Sequence, residues 1–143
     1  MLSIDTNILL YAVLEASPWH KSARSYLESL EDNRQVVIAE LVLVDFYVVL
    51  RNPTLFSSPV SAREAVEICH SFRSHPHWQL VENAEVMDFV WKEATHSHFA
   101  RRRIFDLRLA KTLQAHGVTK FATANTKDFQ SFGFKKVWNP LIA

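Results

Sequence analysis

The chain's 143 residues suit one domain, and a 48% share of apolar residue types is enough to build a real core, which excludes a disordered protein. A single cysteine, Cys69, excludes an internal disulfide and a multi-thiolate zinc site, and the longest uninterrupted apolar run, Ile8 to Leu14, is too short to span a bilayer. The net charge of +1 hides an asymmetry: the first 100 residues carry seven Lys and Arg against thirteen Asp and Glu, and residues 101–143 carry nine against two. The basic C-terminal third suits phosphate binding and an ordinary solvated surface equally. With no basic n-region ahead of the apolar start, no secretory leader is expected, and the chain reads as a soluble, cytoplasmic protein of one domain spanning 1–143.

Leu2 to Ile4 are enough for a buried strand, and Ile8, Leu9, Tyr11, Ala12 and Leu14 suit a mostly buried helix, so Asp5 falls where a strand ends and a helix begins. An N-cap explains an acid there, and so does a ligand site beyond the carboxyl end of a strand. Ser17-Pro18 predicts a helix from Pro18 to about Leu30, with Trp19, Ala23, Tyr26, Leu27 and Leu30 as its apolar stripe. Val36 to Ile38 predict a second strand. The run from Ile38 to Leu50 is too long for one strand and reads as a buried helix ending before Asn52-Pro53. Asp45 sits in that apolar wall, where a carboxylate must be protonated, paired with an arginine or bound to a cation.

Asn52 to Val60 form a loop, and Ser61 to Glu64 are a capping-box pattern opening a helix through Phe72. Gln79 to Val81 predict a third strand, and Ala84 to about His98 a helix buried through Val86, Met87, Phe89, Val90 and Trp91. The pairs His75/His77 and His96/His98 lack the i, i+4 spacing of a helical zinc motif and are better read as ordinary surface or packing residues. A helix begins near Arg101 and is closed by Gly117; Asp106, Leu109, Ala110 and Leu113 share one face, so an acid heads the core-facing stripe. Lys120 to Thr123 predict a fourth strand, Ala124 to Phe129 a loop, and Lys135 to Trp138 an edge strand. Alternating short strands and longer helices argue for a three-layer α/β/α sandwich with a mainly parallel sheet of four to five short strands. Asp5, Asp45, Asp106, Asn125 and Asp128 can then meet at one edge, and hard oxygen ligands without thiolates suit Mg²⁺ or Mn²⁺.

Four ordered blocks carry a resemblance: Ile4-Asp5-Thr6-Asn7, Val44-Asp45-Phe46-Tyr47 running to Arg51-Asn52-Pro53, Phe105 to Ala110 around Asp106, and Phe121 to Phe129. Together they resemble the PIN-domain ribonucleases, and among them the VapC toxins of bacterial toxin–antitoxin pairs, over essentially the whole chain. The resemblance implies a PIN-like fold, a metal site of Asp5, Asp45 and Asp106 that also serves catalysis, and hydrolysis of RNA phosphodiester bonds by a metal-activated water. The second acid of the family is usually glutamate. Asp45 is preferred over the nearby Glu40 because its spacing to Asn52-Pro53 matches. Where a fourth acid often stands this chain has Asn125, and Asp128 either completes the metal set or only holds the loop. Arg101, Arg102, Arg103 and Arg108, with Thr6 and Asn125, make up the candidate substrate contacts, to which Lys120 and Lys127 add positive charge. The resemblance also implies RNA as substrate, a cognate antitoxin as partner and a homodimer. A catalytically silent PIN-like module that binds RNA or protein is the alternative; a haloacid-dehalogenase-type phosphatase is disfavoured because Asn7 stands where that motif needs a second aspartate.

Overall fold

In the computed structural model, which describes residues 1–142, five short strands form one parallel sheet. β1 (Leu2–Ile4), β2 (Val36–Ala39), β3 (Gln79–Val81), β4 (Lys120–Ala122) and β5 (Lys136–Trp138) lie in the order β3-β2-β1-β4-β5. Strands of three or four residues suffice because the central ones are covered on both faces, as the full burial of Ile4, Val36, Val37, Ile38 and Phe121 shows. Ser3, the polar residue of β1, lies opposite Val37 and Phe121. Its hydroxyl donates to the Val37 carbonyl at 2.6 Å, which offsets the cost of burying it.

From β1 the chain moves outward to β2 and β3, then returns past β1 to β4 and β5. Right-handed crossovers therefore place α1 (Thr6–Val13), α2 (His20–Ser29), α3 (Glu40–Leu50) and α4 (Ala62–Arg73) on one face of the sheet. The same rule puts α5 (Met87–Glu93), α6 (Arg103–Ala115) and α7 (Thr126–Phe129) on the other. The packing agrees: α1 lies against α2 and α3, α3 against α4, and α6 against both α5 and α7. This is the three-layer α/β/α arrangement expected from the sequence, with every strand pair parallel. Strand order reverses between β1 and β4, and the crevice beyond their carboxyl ends is where such sheets bind ligands.

Local chemistry explains most element ends. Asp5 caps α1 by accepting from the Thr6 backbone N–H, and Ser61 and Glu64 complete a reciprocal capping box on α4. Gly117, at φ 88°, turns the chain out of α6 in the left-handed conformation a side chain would resist. The buried residues of α3 (Val42, Leu43, Phe46, Leu50) and of α6 (Leu107, Leu109, Ala110, Leu113) join one core with the sheet. None of the helices among the described residues is long and apolar enough to cross a membrane.

Four expectations are corrected. Ser17 accepts from the Trp19 backbone N–H in a turn, so α2 starts at His20 and Trp19, 40% exposed, does not head its stripe. The helix expected over Ala84–His98 contracts to α5, which buries only Val90 and leaves Phe89 and Trp91 open. The segment after β4 contains the one-turn helix α7. Asp45 is exposed, beside Val44 and Val48 at 62% each, so α3 buries one face and leaves the other open. A run apolar on every side has no periodicity to say which face turns inward.

Candidate active site

Asp5 is the best-anchored acid of the crevice. Its backbone N–H donates to the Ala122 carbonyl at 2.9 Å, which ties the end of β1 to the end of β4. Its Oδ1 accepts from the Thr6 N–H at 2.8 Å, and its Oδ2 accepts from the Thr123 hydroxyl at 2.6 Å and from Asn7 Nδ2 at 3.3 Å. Asp5 is only 9% exposed, and burial pushes its pKa up against the downward pull of the Thr123 and Thr6 hydrogen bonds; the charges of Asp45 and Asp128 push it further up.

Asp106 stands in the first turn of α6, half-buried, while Leu109, Ala110 and Leu113 of its stripe are buried as expected. Burial, then the charges of Asp5, Asp128 and Asp45, raise its pKa to about 6, against a downward pull from Arg103. Asp45, from the open side of α3, is raised by the surrounding protein and lowered by the Arg108 guanidinium. Asp128 lies exposed on α7 and acts on both Asp5 and Asp106. Asp5, just past the end of β1, and Asp106 of α6 thus both feel the charges of Asp45 on α3 and Asp128 on α7 at the strand-order reversal.

Glu40 does not join them. It accepts from Arg73 Nε at 2.9 Å and so faces α4. Arg101, Arg102, Arg103 and Arg108 are all exposed along the start of α6, and Asn125 is exposed at the head of α7. The Thr6 hydroxyl donates to the Val42 carbonyl at 3.3 Å, so it is engaged in holding α1 to α3. The histidine pairs lie apart from this cluster: His75 stacks on Trp78 with centroids 4.2 Å apart, His77 approaches Asp32 and His96 approaches Glu93.

Two residues with no role assigned from sequence hold the centre together. Thr123 is fully buried and bridges Asp5 Oδ2 to the Asn125 backbone N–H, which donates to its Oγ1 at 3.0 Å. Asn7 reaches the same Asp5 oxygen, and its Oδ1 accepts from the Ala124 N–H at 3.2 Å. A polar residue ending the apolar run of β4 was the available signal for Thr123.

Among the described residues no three His, Cys, Asp or Glu side chains are already gathered into one coordination shell. The charges of Asp45 and Asp128 nonetheless reach Asp5 and Asp106 and help to raise their pKa values. The donor set, all hard carboxylate oxygens, has the chemistry to hold a hard divalent cation.

Residues 2–135 match the PIN domain family. The chain is 49% identical over 143 residues to Ribonuclease VapC24 of Mycobacterium tuberculosis, covering 100% of this chain and 99% of the relative. Among solved structures it resembles Mycobacterium tuberculosis VapC20, described as a sarcin-ricin loop cleaving toxin, at TM-score 0.65 and 14% identity over 94% of this chain and 96% of that one. It also resembles a chain of a toxin–antitoxin complex from Klebsiella pneumoniae at TM-score 0.57 and 18% identity, with 98% of each covered.

Proposed function

The chain belongs to the PIN domain family, and from that premise we propose that it is a metal-dependent endoribonuclease, the toxin of a toxin–antitoxin pair, which hydrolyses RNA phosphodiester bonds in the cytoplasm. The observation that carries this reading is the meeting of Asp5, Asp45, Asp106 and Asp128 at one crevice in a chain so similar to a named ribonuclease.

Asp5, Asp45 and Asp106 would hold Mg²⁺ or Mn²⁺, with Asp128 completing the set. Held by these carboxylates, such an ion would supply Lewis-acid polarisation of a phosphoryl oxygen, activation of a water and charge neutralisation at the leaving oxygen. Asp5 is oriented for this by Thr123 and Asn7, so its oxygens need little rearrangement. Asp106, its pKa raised to about 6 by burial and the neighbouring acids, would bind the ion as its carboxylate in competition with the proton. Arg101, Arg102, Arg103 and Arg108 would grip the RNA backbone, with Asn125, exposed at the head of α7, and Thr6, next to Asp5, as further contacts.

A cognate antitoxin is the expected protein partner, blocking cleavage by setting a basic side chain against the acids; the likeness to a chain of a toxin–antitoxin complex supports it. A homodimer would cover part of the open apolar face of α3 and α4, where Val44, Val48 and Val66 are 56–62% exposed. Light scattering tests the dimer without touching the nuclease reading. The deciding experiment is cleavage of structured RNAs with and without Mg²⁺, with the cut sites mapped. Mg²⁺-dependent cuts at defined sites are expected, and binding without cleavage would make the chain a silent PIN-like module instead.

A further inference from the structure

α5 and α6 leave a small pocket of about 130 Å³ between them and the turn after α7, lined by Phe89, Phe99, Phe132, Glu93, Arg103 and Lys111. Its make-up is unusual for a surface hollow. Phe89 is 45% exposed although it projects from a helix, and the Lys111 ammonium lies 4.9 Å from its ring centroid. The Arg103 guanidinium lies 4.6 Å from the centroid of Phe132 and donates to the Ser131 hydroxyl. Lys111 also donates to the Phe132 carbonyl at 2.9 Å and to Gln114 Oε1 at 3.1 Å, so its ammonium is held over the Phe89 ring.

We propose that this pocket receives one unpaired base of the RNA substrate, next to the bond that is cut. The proposal rests on the nuclease reading above for the identity of its ligand. Phe89, 45% exposed, offers a base a stacking ring, and the Lys111 and Arg103 cations offer the adjoining phosphate a partner. The Glu93 carboxylate on the rim can accept from base N–H groups, which no phosphate alone would use. Position argues the same way: Arg103 is one helical turn from Asp106, and its charge already reaches that acid. Arg103 therefore lines the pocket while standing one turn along α6 from a crevice acid.

The test compares the full chain with Phe89→Ala and Phe89→Tyr on a single-stranded RNA carrying a mapped cut site, and on copies made abasic at one flanking position at a time. One abasic position should lower kcat/KM at least about fivefold for the wild type, as loss of a stacked base does. Phe89→Ala should show a similar loss on the intact RNA and no added loss at that position, and Phe89→Tyr should restore the wild-type pattern. Circular dichroism confirms that both variants fold. Wild-type kinetics in Phe89→Ala, or an equal abasic loss in wild type and variant, overturns the pocket while leaving the nuclease reading intact, whatever the variant does to association with protein. If no RNA is cut, fluorescence anisotropy of short homopolymeric RNAs on Asp106→Asn protein decides instead. Weaker binding upon adding Phe89→Ala supports the pocket with the nuclease reading gone, and unchanged binding removes it.

Discussion

Thr123 Oγ1 donates to Asp5 Oδ2 at 2.6 Å, joining residues 118 positions apart across the point where the strand order reverses. The bond explains how an acid only 9% exposed is tolerated. Burial favours the protonated carboxyl, and the Thr123 hydroxyl and Thr6 N–H favour the charged one. The two hydrogen bonds thus offset part of the effect of burial, which still leaves the Asp5 pKa raised.

Replacing that hydroxyl by a methyl group tests the balance. Thr123→Val leaves the shape of a fully buried side chain almost unchanged but strips the donor from Asp5 and the acceptor from the Asn125 N–H. It should cost about 1–3 kcal/mol of stability, the range for buried groups left unpaired. The Asp5 pKa should rise further, so Mn²⁺ affinity should fall, most steeply at acid pH where the ion competes with the proton. Urea unfolding and isothermal titration read the two effects, and Thr123→Ser should restore most of both. Wild-type metal affinity in Thr123→Val would show that the bond is only structural.

The acids also make stability depend on pH in an unusual direction. Asp106 has its folded pKa raised from 3.8 to about 6, and Asp5 and Asp45 are raised as well. Between those values the folded chain binds more protons than the unfolded one, so stability contributed by these groups falls as pH rises through that window. Without metal, the melting temperature of the wild type minus that of Asp106→Asn should therefore decline from about pH 4 to about pH 6 and level off above. Saturating Mg²⁺ should abolish the decline by taking the place of the protons. Scanning calorimetry in EDTA and in Mg²⁺ measures both; a difference that grows with pH would contradict the raised pKa.

How much of this was legible in the sequence varies with the kind of signal. Asp5 and Asp106 could be placed because each interrupts a clear pattern, one at a strand-to-helix junction and the other at the head of an i, i+3, i+4, i+7 stripe. Asp45 could be placed on a helix but not on a face, since its neighbours are apolar all round and α3 proves open on that side. The short span of α5 was obscured for the same reason: Phe89 and Trp91 look like core residues in a list and are exposed in the fold. The links Thr123–Asp5 and Arg73–Glu40 depend on which strands and helices become neighbours, and no local pattern carries that.

The Arg73–Glu40 contact separates the two rival second acids. Glu40 is committed to an exposed partner on α4, while Asp45 is raised by its surroundings and answers to Arg108 across the crevice. Asp45→Ala should lower cleavage sharply and weaken Mn²⁺ binding. Glu40→Ala should leave both close to wild type and change the melting temperature little, as exposed ion pairs generally do. Cleavage rates and titrations on the two variants decide the matter, and a larger loss for Glu40→Ala would transfer the role to it.

Asp106→Asn sets function against stability at one atom. The amide is nearly isosteric with the carboxyl and carries no charge, so it removes the cost of burying a carboxylate and the repulsion from Asp5, Asp128 and Asp45 without opening a cavity. At neutral pH and without metal the variant should be more stable than the wild type, by roughly 2–4 °C in melting temperature if the relief is worth about 1 kcal/mol. The same change should reduce Mg²⁺-dependent RNA cleavage about 100-fold or more, because groups that only orient metal ligands already cost 10–100-fold when lost. Mg²⁺ should then raise the melting temperature of the wild type and barely move that of the variant. A surface acid with no part in the site would give neither the gain in stability nor the loss of cleavage, so thermal melts and a fluorescent RNA assay on one preparation distinguish the two roles. Full activity in a folded Asp106→Asn protein would remove Asp106 from the metal set and, with it, the alignment of the third acid.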